Sequence, residues 1–143
     1  MKHKMLEPYM DTARAFAKLS HAQRRKVGAI AVTPQDVVIY SWNGRPSGDD
    51  NCCEVNPELT HPEVLHAESN IVAKAAREGI SLKDADVYVT LSPCLPCALQ
   101  LYQAGVKMVT FDEEYRLTDG IDFLKRKKIT VNKYEENEIE NNG

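Results

Sequence analysis

The chain is poor in the features that would take it to a membrane or onto a nucleic-acid backbone. No apolar run approaches the roughly 18 residues needed to cross a bilayer. The opening Met1-Lys2-His3-Lys4-Met5-Leu6-Glu7-Pro8 is charged and leads into no apolar stretch of the kind a secretory signal needs. Together these absences make a cytoplasm the expected location. Positive charge is also scarce: 18 Lys and Arg against 21 Asp and Glu leave a net charge of −3, whereas nucleic-acid binding normally demands a broad basic face. No membrane and no nucleic acid is therefore expected among the partners. Cysteine is limited to Cys52, Cys53, Cys94 and Cys97, in two close pairs. In a reducing compartment that usage reads as metal ligation or redox chemistry, not as a disulfide framework. Internal repeats and domain linkers are absent too, and 143 residues suit one domain with its own core.

What is present alternates between helical and strand patterns. Leu6, Met10, Ala13, Phe16, Ala17 and Leu19 recur at helical spacing. Two apolar runs, 27–32 and 37–42, flank Thr33-Pro34-Gln35-Asp36 and predict a pair of adjacent strands. Residues 43–63, with Gly44, Pro46, Gly48, Pro57 and Pro62, predict a long loop, and loops of that length in compact domains usually serve function. Helical spacing returns at Ile71, Val72, Ala75 and Ala76 and ends at Gly79, a C-cap candidate. Beyond it the pattern predicts strand 86–91, helix 98–104 stopped by Gly105, strand 106–111, helix 120–127 and a short strand 129–132. Such alternation points to an α/β layered sandwich. The stretch 135–143 is almost all Glu and Asn and predicts an acidic, disordered tail.

Two short segments carry chemistry: His66-Ala67-Glu68 and Pro93-Cys94-Leu95-Pro96-Cys97, each just before a predicted helix. A Cys-x-x-Cys pair at a helix start puts both sulfurs on one side of a metal, and a helix N-terminus favours thiolates. Two thiolates and one imidazole leave the fourth tetrahedral position of a zinc ion open, the mark of a catalytic site, since a structural site takes four protein ligands. Glu68, two residues after the histidine, is spaced to reach a water and not the metal, which suits metal-activated hydrolysis with a carboxylate moving protons. A thioredoxin-like redox pair and a structural zinc module are the competing readings of Cys94 and Cys97. His3, His21 and His61 lack partners at ligand spacing. His-x-Glu followed by Pro-Cys-x-x-Cys is the signature of zinc nucleobase deaminases.

Three further stretches narrow this. Arg25-Lys26-Val27-Gly28-Ala29-Ile30, Ser41-Trp42-Asn43-Gly44-Arg45-Pro46-Ser47-Gly48 and His66-Ala67-Glu68-Ser69-Asn70-Ile71 resemble the deoxycytidylate (dCMP) deaminase family, over about residues 5–132. Trp42, Ser69 and Ile71 depart from its usual residues. The resemblance implies a three-layer αβα sandwich around a central mixed five-stranded sheet, cytidine-deaminase-like, with residues 1–134 as the deaminase domain and 135–143 as the tail. It implies Zn²⁺ held by His66, Cys94 and Cys97, and hydrolysis of dCMP to dUMP and ammonia, with zinc-activated hydroxide attacking C4 and Glu68 as proton shuttle. The backbone N–H of Ala67 would take the 2-oxo group, the Ser92 carbonyl the exocyclic amine and Asn43 a sugar hydroxyl, with Tyr115 lining the nucleotide pocket. A tRNA adenosine deaminase, a dCTP-acting enzyme and riboflavin-pathway, guanine or free-cytosine deaminases share the zinc motif. Some phage members carry a second zinc near the region of Cys52, Cys53 and His61, which here read as free thiols and a solvated imidazole. If the gene is phage-borne, the location is the host cytoplasm.

The resemblance also implies a homo-oligomer, commonly a hexamer, activated by dCTP and inhibited by dTTP with Mg²⁺ on the triphosphate. The sequence offers a place for these effectors. Asn43, Gly44, Arg45 and Gly48 form a loop whose backbone can approach a ligand. Arg24, Arg25 and Lys26 supply charge nearby, and Asn70, Lys74 and Arg77 follow Glu68 at about one-turn intervals.

Overall fold

The computed structural model of the chain describes residues 2–46 and 48–135, so the tail beyond residue 135 lies outside the described residues. Gly28-Ala29-Ile30-Ala31-Val32 is buried along its whole length. A strand with no polar face must be covered on both sides, and β1 (Gly28–Val32) lies inside a five-stranded sheet. β2 (Val38–Trp42) pairs antiparallel with it on one side and β5 (Asp86–Leu91) antiparallel on the other, with Ile30 opposite both Tyr40 and Tyr88. β6 (Met108–Glu113) and β7 (Thr130–Lys133) then add in parallel, giving the order β2-β1-β5-β6-β7. Parallel neighbours need long crossovers. α3 (Leu95–Gln103) and α4 (Asp119–Arg126) supply them.

Alternation along the strands sorts side chains into two cores. Ala29, Ala31, Val87, Val89, Val109 and Phe111 point to one face, where they meet Ile71 and Ala75 of α2 (Ala67–Glu78), Leu101 of α3 and Leu124 of α4. Ile30, Val32 and Tyr88 point to the other and meet Met10 and Ala13 of α1 (Lys2–Ala17). The result is the expected three-layer αβα sandwich with a mixed five-stranded sheet. Gly28 allows the α1 layer to come this close: a β-carbon there would lie 2.0 Å from the Ala13 carbonyl oxygen.

The element bounds differ from the sequence pattern where residues face something other than the core. α2 begins at Ala67, four residues before the apolar spacing starts at Ile71, because its first turn faces a cavity. Its end at Gly79 is as expected, in the left-handed region with φ 71°. α3 likewise starts at Leu95, with Pro96 in its first turn, where a missing N–H costs nothing. Within 43–63 the expected loop contains a small hairpin, β3 (Glu54–Asn56) and β4 (Leu59–Thr60). Its apolar residues Val55 and Leu59 are exposed, so no core-facing alternation marks it. It is held instead by polar contacts: the Glu54 carboxylate accepts the N–H groups of Gln23 and Arg24, and the Arg24 guanidinium donates to Thr60 Oγ1. Among the described residues no helix is long and apolar enough to cross a membrane.

Candidate functional site

The N-termini of α2 and α3 lie beside each other at the end of β5, and the residues just ahead of them converge. His66 and Cys94 are the N-caps, both in extended conformation, and Cys97 lies in the first turn of α3. His66 Nδ1 is 3.4 Å from Cys94 Sγ and 3.4 Å from Cys97 Sγ. A tetrahedral zinc with ordinary bond lengths separates a nitrogen and a sulfur ligand by about 3.5 Å. The donor set and its spacing therefore fit zinc, with the fourth position left to a non-protein ligand. Among the described residues this is the one group of three or more ligating side chains that converges. Cys52, Cys53 and His61 form no such group; Cys52 is exposed and Cys53 buried, both as free thiols.

Two helix N-termini aimed at one cluster favour negative charge on it. The Cys94 thiol is pushed down to about 4, chiefly by its hydrogen bond with Cys97 and further by His66. The hydrogen bond with Cys94 raises His66 against its burial, while a hydrogen bond with Cys94 and burial push the Cys97 thiol up. Glu68, in the first turn of α2, is 4% exposed, and burial raises its carboxyl to about 7 against the pull of backbone N–H groups and His66. A carboxyl poised there can accept and return a proton near neutral pH.

His66, Ala67, Glu68 and Cys94 line one side of a cavity of about 310 Å³, a size that takes a small organic ligand. Ala67 opens α2, and the first N–H groups of a helix have no partner within it. Leu91 and Ser92 also line it. Ser92 Oγ accepts the Tyr115 N–H at 2.6 Å, and the Ser92 N–H donates to the Glu113 carbonyl, which ties the segment after β6 to the end of β5. Tyr115 and Arg116 lie on that segment and line the cavity, as do Arg24 and Arg25. Asn43 also reaches the cavity wall, but both ends of its amide are engaged. Its Oδ1 accepts the Val27 N–H at 2.9 Å and its Nδ2 donates to the Arg25 carbonyl at 2.8 Å, so Asn43 holds the backbone that presents Arg25.

The residues expected at a regulatory site do not gather in one place. Arg24 and Arg25 belong to the cavity itself, with Arg25 paired to Glu113. Gly44 bridges to Leu65, Arg45 pairs with Glu63, and Gly48 has φ 92° in the same loop region. Asn70 and Lys74 lie against the edge strand, where they donate to the Trp42 and Tyr40 carbonyls. Arg77 pairs with neighbouring Glu78 on an exposed surface, and Lys26 is exposed. Sequence reasoning missed Arg116, although a lone cation after the acidic run Asp112-Glu113-Glu114 was a usable signal. It also missed Thr60 and Val64, which no periodicity marks.

Residues 3–113 match the model of the cytidine and deoxycytidylate deaminase zinc-binding region. The crystal structure of dCMP deaminase from the cyanophage S-TIM5, in complex with dCMP and dUMP, superposes with TM-score 0.88 at 44% identity, over 93% of this chain and 98% of that one. Deoxycytidylate deaminase from Schizosaccharomyces pombe is 32% identical over 120 residues, covering 76% of this chain and 37% of that protein. The Saccharomyces cerevisiae deoxycytidylate deaminase is 28% identical over 136 residues, 88% of this chain and 43% of that protein. The chain thus spans about two fifths of the length of these two relatives.

Proposed function

The chain belongs to the family of the cytidine and deoxycytidylate deaminase zinc-binding region, and from that premise we propose that it hydrolyses dCMP to dUMP and ammonia. The observation that carries the reading is one cavity where three parts meet: His66 and Cys94, whose donor atoms converge with that of Cys97 behind the wall, buried Glu68, and the cations Arg24, Arg25 and Arg116. The cations suit a monophosphate dianion, since guanidinium forks match phosphate oxygens. The S-TIM5 relative, at 44% identity, binds dCMP and dUMP.

Zinc held by His66, Cys94 and Cys97 supplies Lewis acidity that makes a water nucleophilic near neutral pH. The chain's own residues do the rest. The Glu68 carboxylate takes one proton from the water that attacks C4 and passes it to N3, then takes the second from the new C4 hydroxyl and passes it to the amine, so the C4–N bond breaks, the 4-oxo group forms, and water and dCMP become dUMP and ammonia. The free N–H of Ala67 receives the 2-oxo group and the Ser92 carbonyl the exocyclic amine. Asn43 fixes the Arg25 backbone and turns its remaining hydrogen-bonding capacity to the sugar. Tyr115 closes the wall, and the arginines hold the phosphate.

Ammonia release over dCMP, CMP, dCTP, deoxycytidine and a tRNA tests the reading. dCMP should be the best substrate, and Arg116→Ala should raise KM for dCMP while leaving deoxycytidine turnover unchanged. Turnover of dCTP or tRNA with dCMP untouched would overturn it.

Activation by dCTP, inhibition by dTTP, Mg²⁺ on their triphosphates and assembly into a homohexamer in a cytoplasm complete the proposal. The loop of Gly44, Arg45 and Gly48 supports the regulatory part, because Arg45 is largely buried with its Nε unpartnered among the described residues. Sigmoidal dCMP dependence, made hyperbolic by dCTP, is the expected kinetics; hyperbolic kinetics indifferent to both triphosphates would remove the regulatory site.

A further inference from the structure

The deeper of the two sulfurs has a polar neighbour that the ligand set does not explain. Cys97 is 2% exposed. Ser69, one residue past Glu68 on α2, places its hydroxyl 3.7 Å from Cys97 Sγ and 2.8 Å from Oε1 of Gln100, three residues after Cys97 on α3. Among the described residues Ser69 is the side-chain hydroxyl hydrogen-bonded to either ligating sulfur. A serine has one proton to give, and here two acceptors face it.

We propose that Ser69 and Gln100 form a donor chain to the Cys97 thiolate, Gln100 N–H to Ser69 Oγ and Ser69 O–H to Cys97 Sγ, which positions that sulfur and tunes the metal it binds. The amide of a glutamine turns over without changing its shape, exchanging oxygen for nitrogen. With a thiol at Cys97, the S–H can donate to Ser69 and the Ser69 proton serve Gln100 Oε1. A metal-bound cysteine is a thiolate and accepts only. The chain then runs in the opposite sense, and turning the Gln100 amide leaves every group paired. A hydrogen bond to a ligating sulfur draws charge away from it, which leaves the metal the stronger Lewis acid; groups of this kind just outside the ligands tune metal sites strongly. The chain also links α2 to α3 across the metal, so both ligand-bearing helices keep one spacing. Ser69 therefore acts through Cys97 as a positioning residue, and this inference rests on His66, Cys94 and Cys97 binding metal.

The test uses the full-length protein loaded with Co²⁺, which reports thiolate ligation by its sulfur-to-metal charge-transfer absorption. Ser69→Ala should move that band to longer wavelength at full loading, because a sulfur without its donor gives up charge more readily. Ser69→Thr, which keeps the hydroxyl, should restore the band, and Gln100→Ala should move it in the same direction as Ser69→Ala. With zinc restored, Ser69→Ala should lower kcat on the order of tenfold with KM for dCMP unchanged. A band unmoved in both Ser69→Ala and Gln100→Ala would overturn the donor chain while leaving the ligand set intact. A wild-type protein that takes up no Co²⁺ would instead overturn the metal centre, and the proposal with it. Neither outcome depends on which nucleotide is the substrate.

Discussion

Glu68 and Asp86 are both carboxyls raised by burial, and they differ in what the burial is for. Glu68 opens into the cavity beside His66 and Cys94, where a carboxyl near neutrality can take and return a proton. Glu68→Gln keeps the shape and removes the proton exchange. Turnover should fall about 10²- to 10⁴-fold, with zinc content and nucleotide binding retained; near-normal turnover would take Glu68 out of the mechanism. Asp86 lies at the start of β5, away from the cavity, with Oδ1 buried and unpartnered among the described residues. Burial raises its carboxyl, with Lys107 opposing. The folded state therefore holds this proton more tightly than the unfolded chain, so Asp86 costs stability once pH passes the unfolded value of 3.8, and the cost is complete above its folded value. Asp86→Asn should match the wild type in urea melts near pH 4 and exceed it at pH 7. A difference that does not change with pH would show that ionisation of Asp86 is not its source.

Between elements, one of the two tightest fits is where α4 meets the turn that carries Cys94. A β-carbon on Gly120 would lie 2.2 Å from the Pro93 carbonyl oxygen and 2.9 Å from that of Cys94. The clash is with backbone, which cannot swing aside as a side-chain tip can. Gly120 also follows the segment bearing Tyr115 and Arg116, so it seats that segment against the metal-ligand turn. Gly120→Ala should cost about 1–3 kcal/mol of stability, the range for overpacking, and lower zinc retention against a chelator even though the ligands are unchanged. Unaltered zinc retention would mean that α4 moves as a body and leaves the turn in place. Gly28 is the comparable contact between α1 and β1. Neither glycine has positive φ, so no turn motif announces it. The cause is a close approach that exists only after the helices have packed, and sequence spacing could not reveal it.

At the scale of the whole molecule, what was legible in the sequence follows from what each residue faces. β1, β5 and the end of α2 were legible because their side chains enter a core, which imposes periodicity. His66, Glu68, Cys94 and Cys97 stood out because metal ligation and proton transfer call for particular residue types within a few positions, and the fold brings the donor atoms of His66, Cys94 and Cys97 together. The hairpin β3–β4 and the placing of Arg24 and Arg25 in the cavity rest on polar contacts between distant segments, such as Glu54 with Gln23 and Arg24, and leave no pattern. The same division governs what the metal does for the fold. Both core clusters are built without His66, Cys94 or Cys97, so the sheet and its layers need no metal to form. Zinc held by His66, Cys94 and Cys97 would join the N-termini of α2 and α3 at one end and add stability by binding the folded state alone, about 4 kcal/mol when its concentration is 1,000 times Kd. Chelation should therefore lower Tm while the far-UV circular dichroism at 25 °C stays that of a folded protein, and added zinc should restore Tm in proportion to its logarithm. Cys94→Ser and Cys97→Ser should each lose bound zinc together with that rise in Tm. Full zinc in both variants would refute the ligand set, and chelation that abolished the helical signal would show that the core cannot stand alone. Metal analysis of the wild type should give one zinc per chain; a second would return Cys52, Cys53 and His61 to the ligands.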